Sequence, residues 1–168
     1  MNTALLRLAA ILSVVVLSPG QALAADAQAG ATVAIVQPLS LVKTRDLEFG
    51  AMLAGTSGGS VVVNPNTDAR TSSGAVTLAG TGGHAAQFMT YGGPLQFVWV
   101  TRGPLPVLTR QGGGGSMNVS QLSLNGSAFR FLSSAGLVDL RIGGTLQVNA
   151  NQPSGHYEGD FEITVTYF

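Results

Sequence analysis

The sequence predicts an all-β fold of short antiparallel strands, a sandwich or a barrel. Three observations carry this. Apolar residues alternate with a period of two through most of the chain, as they do when successive side chains point to opposite faces of a strand. Glycine, present 23 times, recurs with other turn residues at short and regular spacing. After the N-terminal segment, no stretch carries an apolar stripe at helical spacing long enough for a helix.

The N-terminus reads as an export signal. Arg7 is followed by the apolar run Leu8 to Leu17, by the helix-breaking Ser18-Pro19-Gly20, and by Ala22-Leu23-Ala24 as a small-residue cleavage site. A membrane anchor would need about 20 apolar residues without that break. Residues 1–24 are therefore expected to be a secretory signal peptide, and 25–168 one exported domain. That domain would reside in the periplasm, at the cell surface or outside the cell, with no membrane span in the mature chain.

Composition narrows the chemistry. Eight basic residues balance eight acidic ones, so neither nucleic acid nor an anionic membrane surface is an expected partner. The chain has no cysteine, which excludes disulfides, a thiol nucleophile, a lipoprotein anchor and any cysteine metal site. Two histidines cannot form a histidine cluster, and no cofactor or metal is expected.

The elements follow in order. Val33, Ile35, Leu39 and Leu41 share one parity, with Pro38 marking an edge or bulge. Leu47-Glu48-Phe49 is a short strand closed by Gly50, and Val61 to Val63 follows a Gly58-Gly59 turn. Asn64 to Asp68 is a turn cluster, and Ala75 to Leu78 the next strand. Gln87 to Tyr91 and Gln96 to Thr101 follow, with Phe88, Phe97 and Trp99 as expected core aromatics. Pro106 to Thr109 precedes the Gly112 to Gly115 break, which reads as a loop within one domain. Met117 to Leu124 switches parity at Ser120-Gln121, and Phe129 and Phe131 share a face. Leu137 to Ile142 is expected to end at Gly143-Gly144, before Leu146 and Val148. The final strand is expected from about Tyr157 to Phe168, for roughly ten strands in all.

In that last strand Phe161, Ile163, Val165 and Tyr167 point to one face, and Asp160, Glu162, Thr164 and Thr166 to the other. An outer-membrane barrel would need Phe168 in phase with an apolar row, but it shares parity with Thr166, Thr164 and Glu162.

This closing segment resembles the last strand of chaperone–usher pilus subunits. Tyr167 matches their penultimate tyrosine and Gly155 the glycine fourteenth from the end. It is also similar to the closing strand of spore coat protein U-like proteins. Over most of the mature chain the resemblance is to the bacterial exported family called domain of unknown function 4402. The residues that carry it are Pro38-Leu39-Ser40-Leu41, Asp46-Leu47-Glu48-Phe49-Gly50, Ser57-Gly58-Gly59-Ser60-Val61, Ala75-Val76-Thr77-Leu78, Gly144-Thr145-Leu146 and the closing Gly-x-Tyr-x-Gly-x-Phe pattern.

The resemblance implies an immunoglobulin-like, adhesin-type β-sandwich that assembles by β-strand addition. Its partners would be a periplasmic chaperone and identical or related subunits. Gly155, Phe161, Ile163, Val165, Tyr167 and Phe168 would form the assembly strand. Residues 25–36 alternate, with Ala31, Val33 and Ile35 on the apolar parity. They read either as a donor strand for another subunit or as the sandwich's own first strand.

No catalytic constellation appears. His84 and His156 sit in glycine turns, and Asp160 and Glu162 are read as a wet strand face rather than a catalytic pair. The expected function is thus a secreted or surface-assembled structural or adhesive subunit, not an enzyme. The rival from another class is a monomeric module that binds carbohydrate or a surface, with Tyr91 and Trp99 as platforms.

The parity assignment is testable. Val165→Asp should abolish folding or assembly because it places an unpaired charge on the apolar face, while Thr164→Asp should be mild. Urea titrations of both variants check this, and equal losses would reject the assignment.

Overall fold

The computed structural model describes residues 37–168 continuously, together with residues 30, 32, 33 and 35. Residues 1–24, where a signal peptide is expected, and Ala31 lie outside the described residues. Among the described residues eleven strands form: β1 (Ser40–Arg45), β2 (Met52–Val63), β3 (Arg70–Leu78), β4 (Ala86–Tyr91), β5 (Phe97–Arg102), β6 (Val107–Arg110), β7 (Ser116–Leu124), β8 (Phe129–Phe131), β9 (Leu137–Val148), β10 (Tyr157–Glu158) and β11 (Ile163–Tyr167). There is no helix among the described residues.

All pairings are antiparallel. The larger sheet runs β1-β4-β9-β7-β6-β10, with β2 added to β9 and β3 to β2. The smaller runs β11-β5-β8.

The strand that organises this is β9. One edge of it pairs with β7 from Ile142 to Gln147. Its other edge serves two strands placed end to end: Leu137 to Ile142 pairs with β4, and Gly144 to Val148 with β2. The handover falls at Gly143-Gly144. Both glycines are buried, and a Cβ on Gly143 would collide with the Val63 carbonyl and Pro65. Two glycines here therefore allow close backbone approach within a strand rather than ending it.

The two sheets face each other as a sandwich. From the larger sheet, Val61, Val63, Leu140, Ile142 and Leu146 are at most 1% exposed. Val100 of β5 joins the same core, and Phe161, Ile163 and Val165 pack against it. The rings of Phe88 and Phe161 meet edge to face at 6.3 Å. Each fully buried aliphatic side chain contributes about 1.5–3 kcal/mol, so this shared interior binds the layers without any disulfide.

Several elements differ from their sequence-based boundaries. Gly58-Gly59 is not a turn but lies inside β2, where the register against β3 shifts. Leu47-Glu48-Phe49 is reduced to one bridge between Glu48 and His84. The first strand starts at Ser40, beyond Pro38. The expected final strand is two: β10 pairs with β6 in the larger sheet, and β11 with β5 in the smaller. Residues 159–162 carry the chain between them. A Cβ on Gly159 would strike the Val107 carbonyl, so glycine permits the crossing. The parity switch at Ser120-Gln121 is a bulge in β7, between Val119 and Gln121.

A polar tie fixes the β2–β3 turn to the rest. Asp68, at φ 61°, accepts from the Ala85 N–H at 2.9 Å and pairs with Arg45 at 3.0 Å and Arg141 at 2.5 Å. Burial opposes its charge, but the Ala85 N–H and the two guanidiniums outweigh that and hold its carboxyl below the usual carboxylate value. A lowered folded-state pKa adds stability that is present above the unfolded value and is lost as pH falls through the folded one. Asp68→Asn should destabilise at neutral pH by about 1–3 kcal/mol, and the deficit should shrink as pH drops below about 4. Gly143→Ala should cost about 1–3 kcal/mol through overpacking, without changing the secondary structure. Urea midpoints across pH, with circular dichroism, check both.

Candidate functional site

The candidate site is built on β11. Two backbone bonds fix its phase: the Gly103 N–H donates to the Glu162 carbonyl at 2.9 Å, and the Phe168 N–H to the Phe97 carbonyl at 3.1 Å. In an antiparallel ladder the bonded residues alternate. Even-numbered residues therefore bond to β5, and Ile163, Val165 and Tyr167 turn their N–H and C=O groups to the opposite edge. Among the described residues no strand pairs there. The same three residues send half-buried apolar side chains inward, while Glu162, Thr164 and Thr166 are exposed.

β1 is likewise an edge strand, paired among the described residues only with β4. The Tyr167 hydroxyl donates to the Gln37 carbonyl at 2.7 Å, just ahead of β1. It also accepts from the Gly93 N–H at 2.7 Å. At the other end, Lys43 has a raised pKa, chiefly through its hydrogen bond to Asp46, and Asp160 adds a weaker attraction. Among the described residues each of the two strands has one bonded edge.

The edges differ chemically. β1 is guarded by Pro38, Lys43, Arg45 and a register shift between Lys43 and Arg45. Such devices keep edge strands from recruiting other chains. β11 reads Ile-Thr-Val-Thr-Tyr and has no proline, charge or bulge.

A groove of ≈ 1540 Å³ continues from the Asp160 end. Asp46 to Ala54 forms one wall and Gln152 to Phe161 the other. Its floor residues Ala86, Val119 and Leu146 are nevertheless at most 2% exposed, so the free space lies toward the rims. The rims carry two imidazole–carboxylate pairs, His84 with Glu48 at 3.2 Å and His156 with Glu158 at 3.0 Å. Among the described residues no three acidic, histidine or cysteine side chains converge as a metal site.

Residues 39–167 match the family described as domain of unknown function DUF4402. The chain belongs to that family. No curated protein and no solved structure matches it.

In this DUF4402 protein the sequence-selected residues separate. Phe161, Ile163, Val165, Tyr167 and Phe168 lie on or beside β11. Gly155 does not join them. It precedes β10 in the larger sheet at φ 154°, where a side chain would strike Arg110. Val33 and Ile35 are 87% and 94% exposed, and neither belongs to a strand. Trp99 and Phe97 are not core residues. The inner residues of β5 are Val98 and Val100, at 0% and 2% exposure, which puts Phe97 and Trp99 on the outer face. Tyr91 ends β4 in the other sheet, where alternate residues Ala86, Phe88 and Thr90 point inward, so it lies on the opposite outside of the sandwich. Tyr91 and Trp99 therefore cannot form one platform. No helix among the described residues is long and apolar enough to cross a membrane.

Sequence reasoning missed the two hydrogen bonds of the Tyr167 hydroxyl, because its partners are backbone atoms far away in the chain. Tyr167→Phe should cost about 1–3 kcal/mol, since it leaves the buried Gly93 N–H without an acceptor. Gly92→Ala should cost at least as much, because its Cβ would meet the Tyr167 hydroxyl, Leu132 and Leu39. Thermal melts of both variants check this.

Proposed function

We propose that this protein is a non-catalytic structural or adhesive subunit, exported from the cell, that assembles by β-strand addition at the free edge of β11. One observation carries the reading. Ile163, Val165 and Tyr167 present backbone groups that no strand among the described residues pairs with, along an uncharged edge directly beside the apolar interior that an added strand's side chains would share. Main-chain bonds would give affinity, and alternate side chains specificity. The added strand is best supplied by residues 25–36 of an identical or related subunit, with Ala31, Val33 and Ile35 as the inward row. A chaperone strand would protect the edge before assembly.

The mature chain, purified alone, should form a ladder of oligomers that disappears when residues 25–36 are deleted. A ladder unaffected by that deletion rejects 25–36 as the donor. Proline placement tests the edge itself. Val165→Pro removes an N–H that faces outward and should leave a folded monomer that no longer adds strands. Thr164→Pro removes an N–H bonded to β5 and should unfold the smaller sheet. Oligomers formed by Val165→Pro as readily as by the parent chain would reject strand addition at β11.

A further inference from the structure

The outer face of the smaller sheet carries a second surface, independent of the β11 edge. Its register sets out a grid. Phe131 stands opposite Phe97, and Phe129 opposite Trp99. Phe168 follows Phe97 on the other side, through the Phe168 N–H to Phe97 carbonyl bond. Thr166 lies opposite Trp99, and Thr164 opposite Thr101. Residues directly opposite in a sheet share a face. Five aromatic residues thus occupy two adjacent rows, and hydroxyl side chains border them.

The rings form one cluster. Phe97 stacks on Phe129 at 4.7 Å, Trp99 lies 6.1 Å from Phe129, and Phe168 meets Phe129 edge to face at 5.1 Å. They remain open to solvent: Trp99 is 43% exposed, Phe131 56% and Phe168 86%. The protein's interior needs none of them, because Val98 and Val100 fill the inner face of β5.

Size and chemistry select the ligand. A whole aromatic side chain offers about 200 Å², so these three exposed fractions amount to about 370 Å² of aromatic surface. A stable protein interface buries about 800 Å² per partner, more than twice that. The bordering groups on this face are the exposed hydroxyls of Thr101, Thr164 and Thr166 and the single carboxylate of Glu162. No lysine or arginine stands in these rows, which disfavours a phosphate or an acidic polymer. What fits is a ligand with flat C–H faces, edged by hydroxyl groups and without charge.

We infer that the outer face of β11-β5-β8 binds a neutral saccharide chain. Sugar C–H faces stack on Trp99, Phe131 and Phe168, and sugar hydroxyls bond to Thr101, Thr164, Thr166 and Glu162. Trp99 is the only tryptophan in the chain, so its fluorescence reports on this surface alone.

The test titrates the chain with the neutral hexasaccharides of glucose, mannose and N-acetylglucosamine, following Trp99 emission and calorimetric heat. To separate this surface from the assembly edge, the chain lacking residues 25–36 is used alongside the mature chain. Saturable binding by both is expected for at least one sugar. Phe131→Ala and Trp99→Ala should each weaken the calorimetric affinity at least tenfold, while Tyr91→Ala, on the opposite face, leaves it unchanged. Melting curves confirm that the variants fold. No saturable response to any of the three sugars overturns the inference. So does equal loss from Tyr91→Ala, or a dimer in sedimentation that Phe131→Ala dissociates, which would mean that a second copy covers the face.

Discussion

The fold depends on the close backbone approach at Gly143-Gly144. A single edge of β9 has to pair first with β4 and then with β2, and no side chain fits at the point of handover. Because the strand passes through without ending, two otherwise separate groups become one sheet. Asp68 fastens the same junction from outside, joining the β2–β3 turn to Arg45 in β1, Arg141 in β9 and the start of β4. Backbone proximity and a polar tie do here what a disulfide does in many exported domains.

From that scaffold follows the asymmetry of the edges. The chain leaves the larger sheet after β10, crosses at Gly159 and enters the smaller sheet as β11, which among the described residues bonds only to β5. The β1 edge is guarded by charge and proline, and the β11 edge is not. An unguarded edge carries an aggregation risk unless something is meant to cover it. The outer aromatic grid belongs to the same small sheet, yet it uses side chains that alternate with those facing the interior. Assembly and ligand binding would thus draw on different atoms of the same strands.

Much of this was legible. The all-β class, the turn at Asn64 to Asp68, the β7 bulge and the inward row Phe161, Ile163, Val165 and Tyr167 all follow from period-two alternation and turn chemistry. Trp99 was misread for a physical reason. Phe97-Val98-Trp99-Val100 is apolar at both parities, so alternation says nothing about which pair faces inward. The smaller side chains, Val98 and Val100, went in, and the rings went out. Gly58-Gly59 and Gly143-Gly144 look like breaks, because the same residue serves a turn and a crowded strand crossing.

By itself, then, the sequence determined the local periods, the freedom from disulfides and the amphipathic closing segment, because these depend only on neighbouring residues. Tertiary structure alone decided that the closing segment divides between two sheets, that Gly155 stands apart from β11, and that Tyr91 and Trp99 face away from each other. Those outcomes depend on which strand lies beside which, and the pairing is set by contacts between residues far apart in the chain.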